Sequence, residues 1–221
     1  MDSILYHHLG LGDHFICNGI VREYAQNCDK LFLPCKSHNL ITVRAMYEDL
    51  KKIIPVAVEN DQEASHWIYN SCLPCVAIGF NNLNQAEPFD QQFYKLAKVP
   101  FEKRWKNFFC PRSPRETRLF DDLYISSGYA ILHEDSSRGY SINRSKIALP
   151  IIEISKRDGF SMTDYRLLIE YAEEIHVIDS SAMFFIDSIS VNTDKLFVHR
   201  YARENPDWHL PTLKKDWEIL R

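Results

Sequence analysis

The turn GLGD, residues 10–13, joins a predicted strand to a predicted helix and combines small residues with an acid. Gly10 and Gly12 allow a ligand to approach the backbone closely, and the free N–H groups at a helix start attract an anion or a sugar hydroxyl. The carboxylate of Asp13 could act as the general base for an acceptor hydroxyl, and His14 beside it is the second catalytic candidate. The alternative is that Asp13 only caps the helix.

Gly10 and Gly12 are also candidates for binding the donor of such a reaction, and the second half of the sequence carries further candidates. Arg138 and Arg144 follow a predicted strand, and their guanidinium groups could neutralise the charge of a leaving pyrophosphate. Ser180 and Ser181 stand between a strand and a helix, where hydroxyl and N–H groups suit phosphate oxygens. We assign Tyr165 to the pocket of the nucleotide base. A solvated loop and a plain serine cap are the alternatives for these segments.

A further group of arginines lies between the two halves and admits two interpretations. The group could clamp an anionic ligand, or it could supply the ordinary charges of surface helices. Its members are Arg104, Arg112, Arg115 and Arg118.

Composition and charge exclude several classes of protein. The chain of 221 residues is 45% hydrophobic and 25% charged, which is typical of a globular protein. A net charge of −4 and a pI of about 6.1 give no general attraction to nucleic acid. The sequence shows neither a signal peptide nor ~20 consecutive apolar residues, so we expect a cytoplasmic location. The six cysteines are expected as free thiols, and we expect neither a metal ion nor a cofactor.

The elements that must position these residues follow from alternating apolar runs and helical patterns. In the first half, strands are predicted at residues 3–9, 30–34, 53–58 and 75–80, and helices at 14–26, 40–50, from Asp61, 89–99, 100–109 and 115–123. In the second half, strands are predicted at 129–133, 149–154, 175–178 and 195–198, and helices at 163–174 and 181–189. The amphipathic tail, residues 210–220, is expected to pack back on the body.

This order predicts an α/β fold with two small Rossmann-like parallel-sheet halves that face a cleft. We expect residues 1–126 to form the acceptor-side half and residues 127–221 the nucleotide-sugar (donor) half, with the junction near Ser126–Gly128. Ligands of such folds bind at the carboxyl ends of strands, where the candidate residues stand.

The segment HLGLGDHFICNGIVREYA resembles the first strand, loop and helix of GT-B glycosyltransferases, in particular the heptosyltransferase-like group that uses ADP- or GDP-sugars. The resemblance implies that Asp13 is the catalytic base. It also implies metal-independent, inverting transfer from a nucleotide-sugar donor to a glycan or glycolipid acceptor, as in polysaccharide biosynthesis. Peripheral membrane association and the oligomeric state stay open.

Two other functions compete with sugar transfer. A non-catalytic nucleotide or sugar-phosphate-binding module needs the same loops but not the carboxylate of Asp13. A hydrolase or an epimerase-like enzyme could use the same cleft. The sequence contains no GxSxG, HExxH or P-loop motif, so serine hydrolases, zincins and Walker-type NTPases lack support.

Overall fold

The computed structural model describes residues 1–79, 87–123, 125, 127–155, 157, 159–203 and 209–221. The described chain forms two compact units, Met1–Pro111 and Arg112–Arg221. The predicted junction near Ser126–Gly128 includes Ser126, which lies outside the described residues, as does Phe80 at the end of the predicted fourth strand. In the part of the chain that is described, no helix is long and apolar enough to cross a membrane.

The first unit is built on a parallel sheet of four strands in the order β3-β2-β1-β4. The strands are β1 (Ser3–Tyr6), β2 (Leu31–Lys36), β3 (Ile53–Val58) and β4 (Cys75–Ala77). β1 lies between β2 and β4 and buries Ile4 and Leu5 almost completely. A strand that is buried on both faces reads as a continuous apolar run, which is why its position was predictable.

The helices of the first unit connect these strands and follow the last of them. They are α1 (Leu11–Ile16), α2 (Asn18–Gln26), α3 (Leu40–Met46), α4 (Asp61–Ser71), α5 (Phe89–Leu96) and α6 (Lys103–Lys106). Asn60, not Asp61, caps α4, because its side chain accepts a hydrogen bond from the backbone of Glu63. The four-residue α6 is much shorter than the predicted helix 100–109.

The predicted helix 14–26 is two helices, α1 and α2, that meet at Cys17, where ψ is 2°. Next to this break, the side chain of Asn18 donates to the backbone carbonyl of Phe109 and accepts from the backbone N–H of the same residue. These two hydrogen bonds fix the Asn18 side chain within the unit. A Cβ atom on Gly19 would lie 2.3 Å from the carbonyl oxygen of Lys103. Glycine at this position therefore lets α2 approach α6 closely.

The second unit is built on a parallel sheet of five strands in the order β6-β5-β7-β8-β9. The strands are β5 (Ala130–His133), β6 (Ile151–Glu153), β7 (Glu174–Val177), β8 (Leu196–His199) and β9 (Glu218–Leu220). The α-helices are α7 (Pro114–Asp122), α8 (Arg166–Tyr171) and α9 (Ser181–Ser188). Short 3₁₀ helices include Met162–Tyr165, which forms the start of the predicted helix 163–174, and Arg200–Arg203 directly after β8.

The tail packs on the second unit as expected, and it does so as a strand. β9 extends the sheet beside β8, and the buried carboxylate of Asp187 binds the segment before it. Its oxygens accept from the backbone N–H groups of Lys214 and Lys215 at 3.0 Å and from Trp217 Nε1 at 3.1 Å. The acid that interrupts the apolar helix α9 therefore anchors the last strand.

Three members of the predicted arginine group are bound to buried acids, and Arg112 is held by two of them. Arg104 is 1% exposed and forms an ion pair with Asp90 at 2.5 Å, so it is a core residue and not a surface charge. Arg115 pairs with the fully buried carboxylate of Asp164 at 3.1 Å. Their charges are compensated within the fold, and these contacts favour a structural role over an anion clamp.

Candidate functional site

The first candidate region is the carboxyl edge of β1, where the growth of the first sheet changes direction. The chain passes from β1 to β2 on one side and later returns to β4 on the other. Such a switch point opens a crevice beyond the strand ends and is where ligands of open α/β sheets bind. The segments after β1 and β4 touch there, because a Cβ atom on Gly79 would lie 2.4 Å from Cδ2 of His8.

Asp13 stands in the first turn of α1 and does not cap the helix. The cap position belongs to Gly10, and no side chain provides a capping hydrogen bond there, so the interpretation of Asp13 as a simple cap is wrong. A Cβ atom on Gly10 would lie 2.6 Å from Asp13 Oδ2, so the glycine makes room for the carboxylate. Gly12, between them, is an ordinary residue of the helix.

Burial raises the pKa of Asp13 to about 7, whereas a hydrogen bond with its own backbone N–H acts in the opposite direction. The raised pKa keeps the carboxyl group near half ionisation at neutral pH. This is the range in which a group both holds and releases a proton readily, as a general base must.

His14, the second catalytic candidate, is fully buried, and its ring packs edge-on against the ring of His7, with 4.4 Å between the ring centroids. Burial lowers the pKa of His7 to about 4 and the pKa of His14 well below its usual value. Both rings are therefore neutral at pH 7. Among the described residues, neither nitrogen of His14 has a hydrogen-bond partner. The position of His14 favours a supporting role over direct contact with a substrate.

The second candidate region is the corresponding switch point of the second sheet, between β5 and β7. His133 ends β5, and Ser180 precedes α9 on the segment that follows β7. Ser180 Oγ lies 3.0 Å from His133 Nδ1 and makes no capping bond to α9. Burial lowers the pKa of His133 to about 4, so a neutral imidazole fixes the serine hydroxyl. Ser181 is the first residue of α9 and lies beside this pair.

Two arginines that sequence reasoning missed contact this same turn from the 3₁₀ helix after β8. Arg200 Nη1 lies 3.5 Å from the buried carboxylate of Asp179, and Arg203 donates to the backbone carbonyl of the same residue. Both follow the end of a strand, which is the signal that singled out the other candidates. They bring positive charge to the residue next to Ser180.

Arg138 and Arg203 approach the ring of Tyr140, with 5.4 and 5.7 Å from each guanidinium carbon to the ring centroid. Arg138 also pairs with Asp135 at 2.5 Å. Two guanidinium groups at one ring concentrate positive charge at this edge of the sheet, where a phosphate could compete with Asp135 for Arg138.

Arg144 and Tyr165 have partners within the fold. Arg144 Nη2 binds Glu134 at 2.6 Å and Glu153 at 2.7 Å, and these hydrogen bonds raise its pKa. Tyr165 is 1% exposed, and its hydroxyl donates to the carbonyl of Ser155 at 2.9 Å. A base pocket at Tyr165 would require the side chain to leave the core, so it is not part of the site that we consider below.

The described chain is similar to solved structures of sugar transferases. The match with E. coli ADP-heptose LPS heptosyltransferase II takes in 100% of this chain and 90% of that chain, with a TM-score of 0.65 and 11% identity. The match with E. coli heptosyltransferase WaaC with ADP takes in 100% of this chain and 93% of that chain, with a TM-score of 0.55 and 10% identity. The chain has the fold of these heptosyltransferases.

Another structure with this heptosyltransferase fold is the iron-containing dodecameric glycosyltransferase TibC of enterotoxigenic E. coli, with a TM-score of 0.56 and 8% identity. The match takes in 96% of this chain and 60% of the TibC chain. No protein-family model and no curated protein matches the sequence. The predicted GT-B-like fold with two parallel sheets is thus confirmed by structural likeness alone.

The described residues do not fit an iron site. Within the ranges that the structure describes, no three His, Cys, Asp or Glu side chains are grouped to hold a metal ion. Cys72 and Cys75, the two cysteines that are closest in sequence, are exposed free thiols. We therefore derive no step through a metal.

Proposed function

We propose that this protein is a glycosyltransferase that moves a sugar from a nucleotide-sugar donor to a hydroxyl of a glycan or lipid-linked acceptor, with inversion and without a metal ion. The observation that carries the proposal is the position of the Asp13 carboxyl group, in the first turn of α1 beside Gly10 and after the carboxyl end of β1, where a raised pKa of about 7 suits a general base at neutral pH. The likeness of the fold to heptosyltransferases supports the reaction class.

In the transfer step, Asp13 takes the proton of the acceptor hydroxyl while the hydroxyl oxygen attacks the anomeric carbon of the donor. The bond from that carbon to the diphosphate oxygen breaks, and the nucleoside diphosphate leaves with the electron pair. A single displacement inverts the anomeric centre. Proton removal by a positioned base contributes typically about 10²–10⁴-fold to such a rate.

On the donor side, the charge of the departing diphosphate needs hydrogen-bond donors and cations. We assign this role to Ser180, Ser181 and the N–H groups that start α9, together with Arg138. Arg144 becomes available only if a phosphate replaces one of its two glutamate partners. Heptosyltransferase WaaC is solved with ADP, and heptosyltransferase II is named for ADP-heptose, so an ADP-sugar is the first donor to test and a GDP-sugar the second.

In this reaction the two halves of the protein have different roles. The first half serves the acceptor through Asp13, and the second half serves the donor. We further propose a cytoplasmic location and a role in polysaccharide assembly, in keeping with the use of a soluble nucleotide-sugar donor.

The experiment begins with a thermal-shift panel of ADP-, GDP-, UDP-, CMP- and dTDP-sugars, because a ligand that binds only the folded state raises the melting temperature. The protein is then incubated with the nucleotide-sugar that binds and with a mixture of glycolipid and oligosaccharide acceptors, and the release of nucleoside diphosphate is measured. We expect Asp13→Asn to keep donor binding and to lose at least 100-fold in turnover.

Asp29→Asn is the matched control, since Asp29 is an exposed acid of the same unit that pairs only with the N-terminus among the described residues. It should turn over like the wild-type protein. Donor binding without turnover by the wild-type protein would favour the non-catalytic binding module. Equal release of diphosphate with and without acceptor would indicate a hydrolase. Both outcomes contradict sugar transfer.

A further inference from the structure

A chain of hydrogen bonds crosses one face of the second sheet and has no part in the reaction described above. It starts at Glu174 Oε2, which lies 3.4 Å from His176 Nε2. His176 Nδ1 lies 2.9 Å from His199 Nε2, and His199 Nδ1 lies 2.9 Å from the hydroxyl of Tyr201. The same hydroxyl accepts from the backbone N–H of Asn143 at 3.0 Å.

The strand register explains why the two histidines meet. His176 on β7 is paired with Phe197 on β8, and His199 follows two residues later on the same face of that strand. The ring of His176 stacks on Phe197 with 4.7 Å between centroids and 13° between planes. Both imidazoles are more than nine-tenths buried, so each ring nitrogen needs a partner within the protein.

The groups at the two ends of this row of hydrogen bonds fix which atom donates and which accepts in each bond between them. The N–H of Asn143 can only donate, so the phenol oxygen accepts there, and its proton is free for His199 Nδ1. His199 then carries its proton on Nε2 and donates to His176 Nδ1. His176 in turn carries its proton on Nε2, facing the carboxylate, which can only accept.

The charged groups around the pair are compatible with two neutral rings. Glu174 also accepts a hydrogen bond from Lys195 Nζ at 3.2 Å. Burial lowers the pKa of both histidines, that of His199 to about 4, and the positive charge of Lys146 contributes to the latter shift. Each neutral imidazole has one donor and one acceptor, which is what this chain requires.

We propose that His176 and His199 are positioning residues that hold Tyr201, and through it the loop of residues 140–147, at the carboxyl edge of the second sheet. Tyr201 lies between Arg200 and Arg203, which bind Asp179 next to Ser180. The chain thus links the loop after β5 to the turn after β7. Its effect on the donor rests on the proposed function, because those two segments form the proposed donor site.

Two substitutions of His199 separate positioning from simple packing. His199→Gln keeps an acceptor for Tyr201 and a donor for His176 but loses the ring. His199→Phe keeps an aromatic ring but loses both hydrogen bonds. Tyr201→Phe removes the same link at its other end and leaves the ring in place.

The measurement is backbone hydrogen exchange of residues 140–147 in the full chain, with the strands of the first unit as internal reference. We expect exchange in this loop to accelerate at least fivefold in His199→Phe and Tyr201→Phe and to stay within twofold of wild type in His199→Gln. The proposal is overturned if His199→Phe behaves like wild type, or if His199→Gln is the more damaging change.

The link to the donor is measured separately with ADP and GDP as probes. We expect the dissociation constant to rise at least fivefold in His199→Phe and to be unchanged in His199→Gln. If the wild-type protein binds neither these probes nor any nucleotide-sugar, the proposed function fails while the exchange result still decides the positioning role. If nucleotides bind equally to all variants, the link between the chain and the donor site is wrong.

Discussion

Ser180 Oγ and His133 Nδ1 lie 3.0 Å apart across the switch point of the second sheet, although 47 positions separate them in sequence. The serine hydroxyl makes no capping bond to α9 and instead contacts the last residue of β5. A hydroxyl that is held in this way can offer a fixed group to a phosphate oxygen together with the N–H groups of the helix start.

Removal of this hydroxyl should weaken donor binding. We expect Ser180→Ala to raise the dissociation constant of the nucleotide that binds by about 10- to 100-fold, since a hydrogen bond to a charged group contributes ~1.5–3 kcal/mol. Ser180→Thr, which keeps the hydroxyl, should stay near wild type. Ser188→Ala is the control, because that hydroxyl donates to Phe184 within α9. Unchanged binding by Ser180→Ala, measured by calorimetry, would remove Ser180 from the site.

The pKa of Asp13 predicts how turnover depends on pH. A general base acts in its ionised form, so the turnover at low donor concentration should rise about tenfold per pH unit below pH 7 and level off above it. The profile is measured between pH 5.5 and 8.5 in buffers of constant ionic strength. A flat profile across pH 7 would contradict the role of Asp13 as the base.

The same carboxyl group predicts a stability effect that needs no substrate. Its pKa is raised on folding from 3.8 to about 7, so its protonated form stabilises the fold below pH ~3.8 and this contribution is lost as pH rises to 7. Asp13→Asn should therefore be more stable than wild type at pH 8, by up to about 4 kcal/mol, with a smaller advantage of about 1–2 kcal/mol at pH 5. Urea unfolding at both pH values measures the difference, and Asp29→Asn should show no such gain.

The histidines with depressed pKa values act in the opposite direction. Burial lowers the pKa of His7, His133 and His199 to about 4, so the stability that their neutral forms provide is present above pH 6.5 and is lost as pH falls toward 4. Each should cost roughly 1–2 kcal/mol at pH 5. His133→Gln should reduce this slope in urea unfolding between pH 7 and pH 5. An equal slope in the variant would contradict a neutral, buried His133.

The local part of this site could be predicted from the sequence, whereas the contacts across strands could not. Local patterns in the sequence predicted the turn at Asp13 and the start of α9 at Ser181, because each lies between an apolar run and a helical pattern. They also predicted β3, which spans residues 53–58 as expected. The contact of Ser180 with His133 depends on β5 lying beside β7, which no local pattern reveals. The break at Cys17 escaped prediction for the same reason, because Asn18 next to it is fixed by the distant Phe109.

The ion pair of Arg104 and Asp90 should be essential to the first unit. Both side chains are at most 1% exposed, so Arg104→Met leaves a buried carboxylate without its charge partner and should cost about 3–5 kcal/mol of unfolding free energy. Arg104→Met combined with Asp90→Leu should recover most of this loss. Arg118→Met is the control, because its pair with Asp122 is exposed and 3.8 Å long. A loss below 1 kcal/mol in Arg104→Met would contradict the buried pair.

Asp187 anchors the segment that leads into β9. The carboxylate accepts from the backbone N–H groups of Lys214 and Lys215 and from Trp217 Nε1, and its side chain is fully buried. Asp187→Ala should therefore cost about 2–4 kcal/mol and release the tail, since three donors lose their acceptor. Asp187→Asn keeps one acceptor oxygen and the shape of the side chain but loses the charge. Its stability should therefore lie between that of wild type and that of Asp187→Ala.

Hydrogen exchange of Glu218–Leu220 and limited proteolysis of the tail measure this release, because β9 is the edge strand and pairs only with β8 among the described strands. The amides of β9 should exchange at least tenfold faster in Asp187→Ala, while those of β5 and β7 keep their protection. Asp194→Ala, at an exposed acid between α9 and β8, is the matched control and should leave β9 unchanged. Equal protection of β9 in wild type and Asp187→Ala would mean that pairing with β8 alone holds the strand.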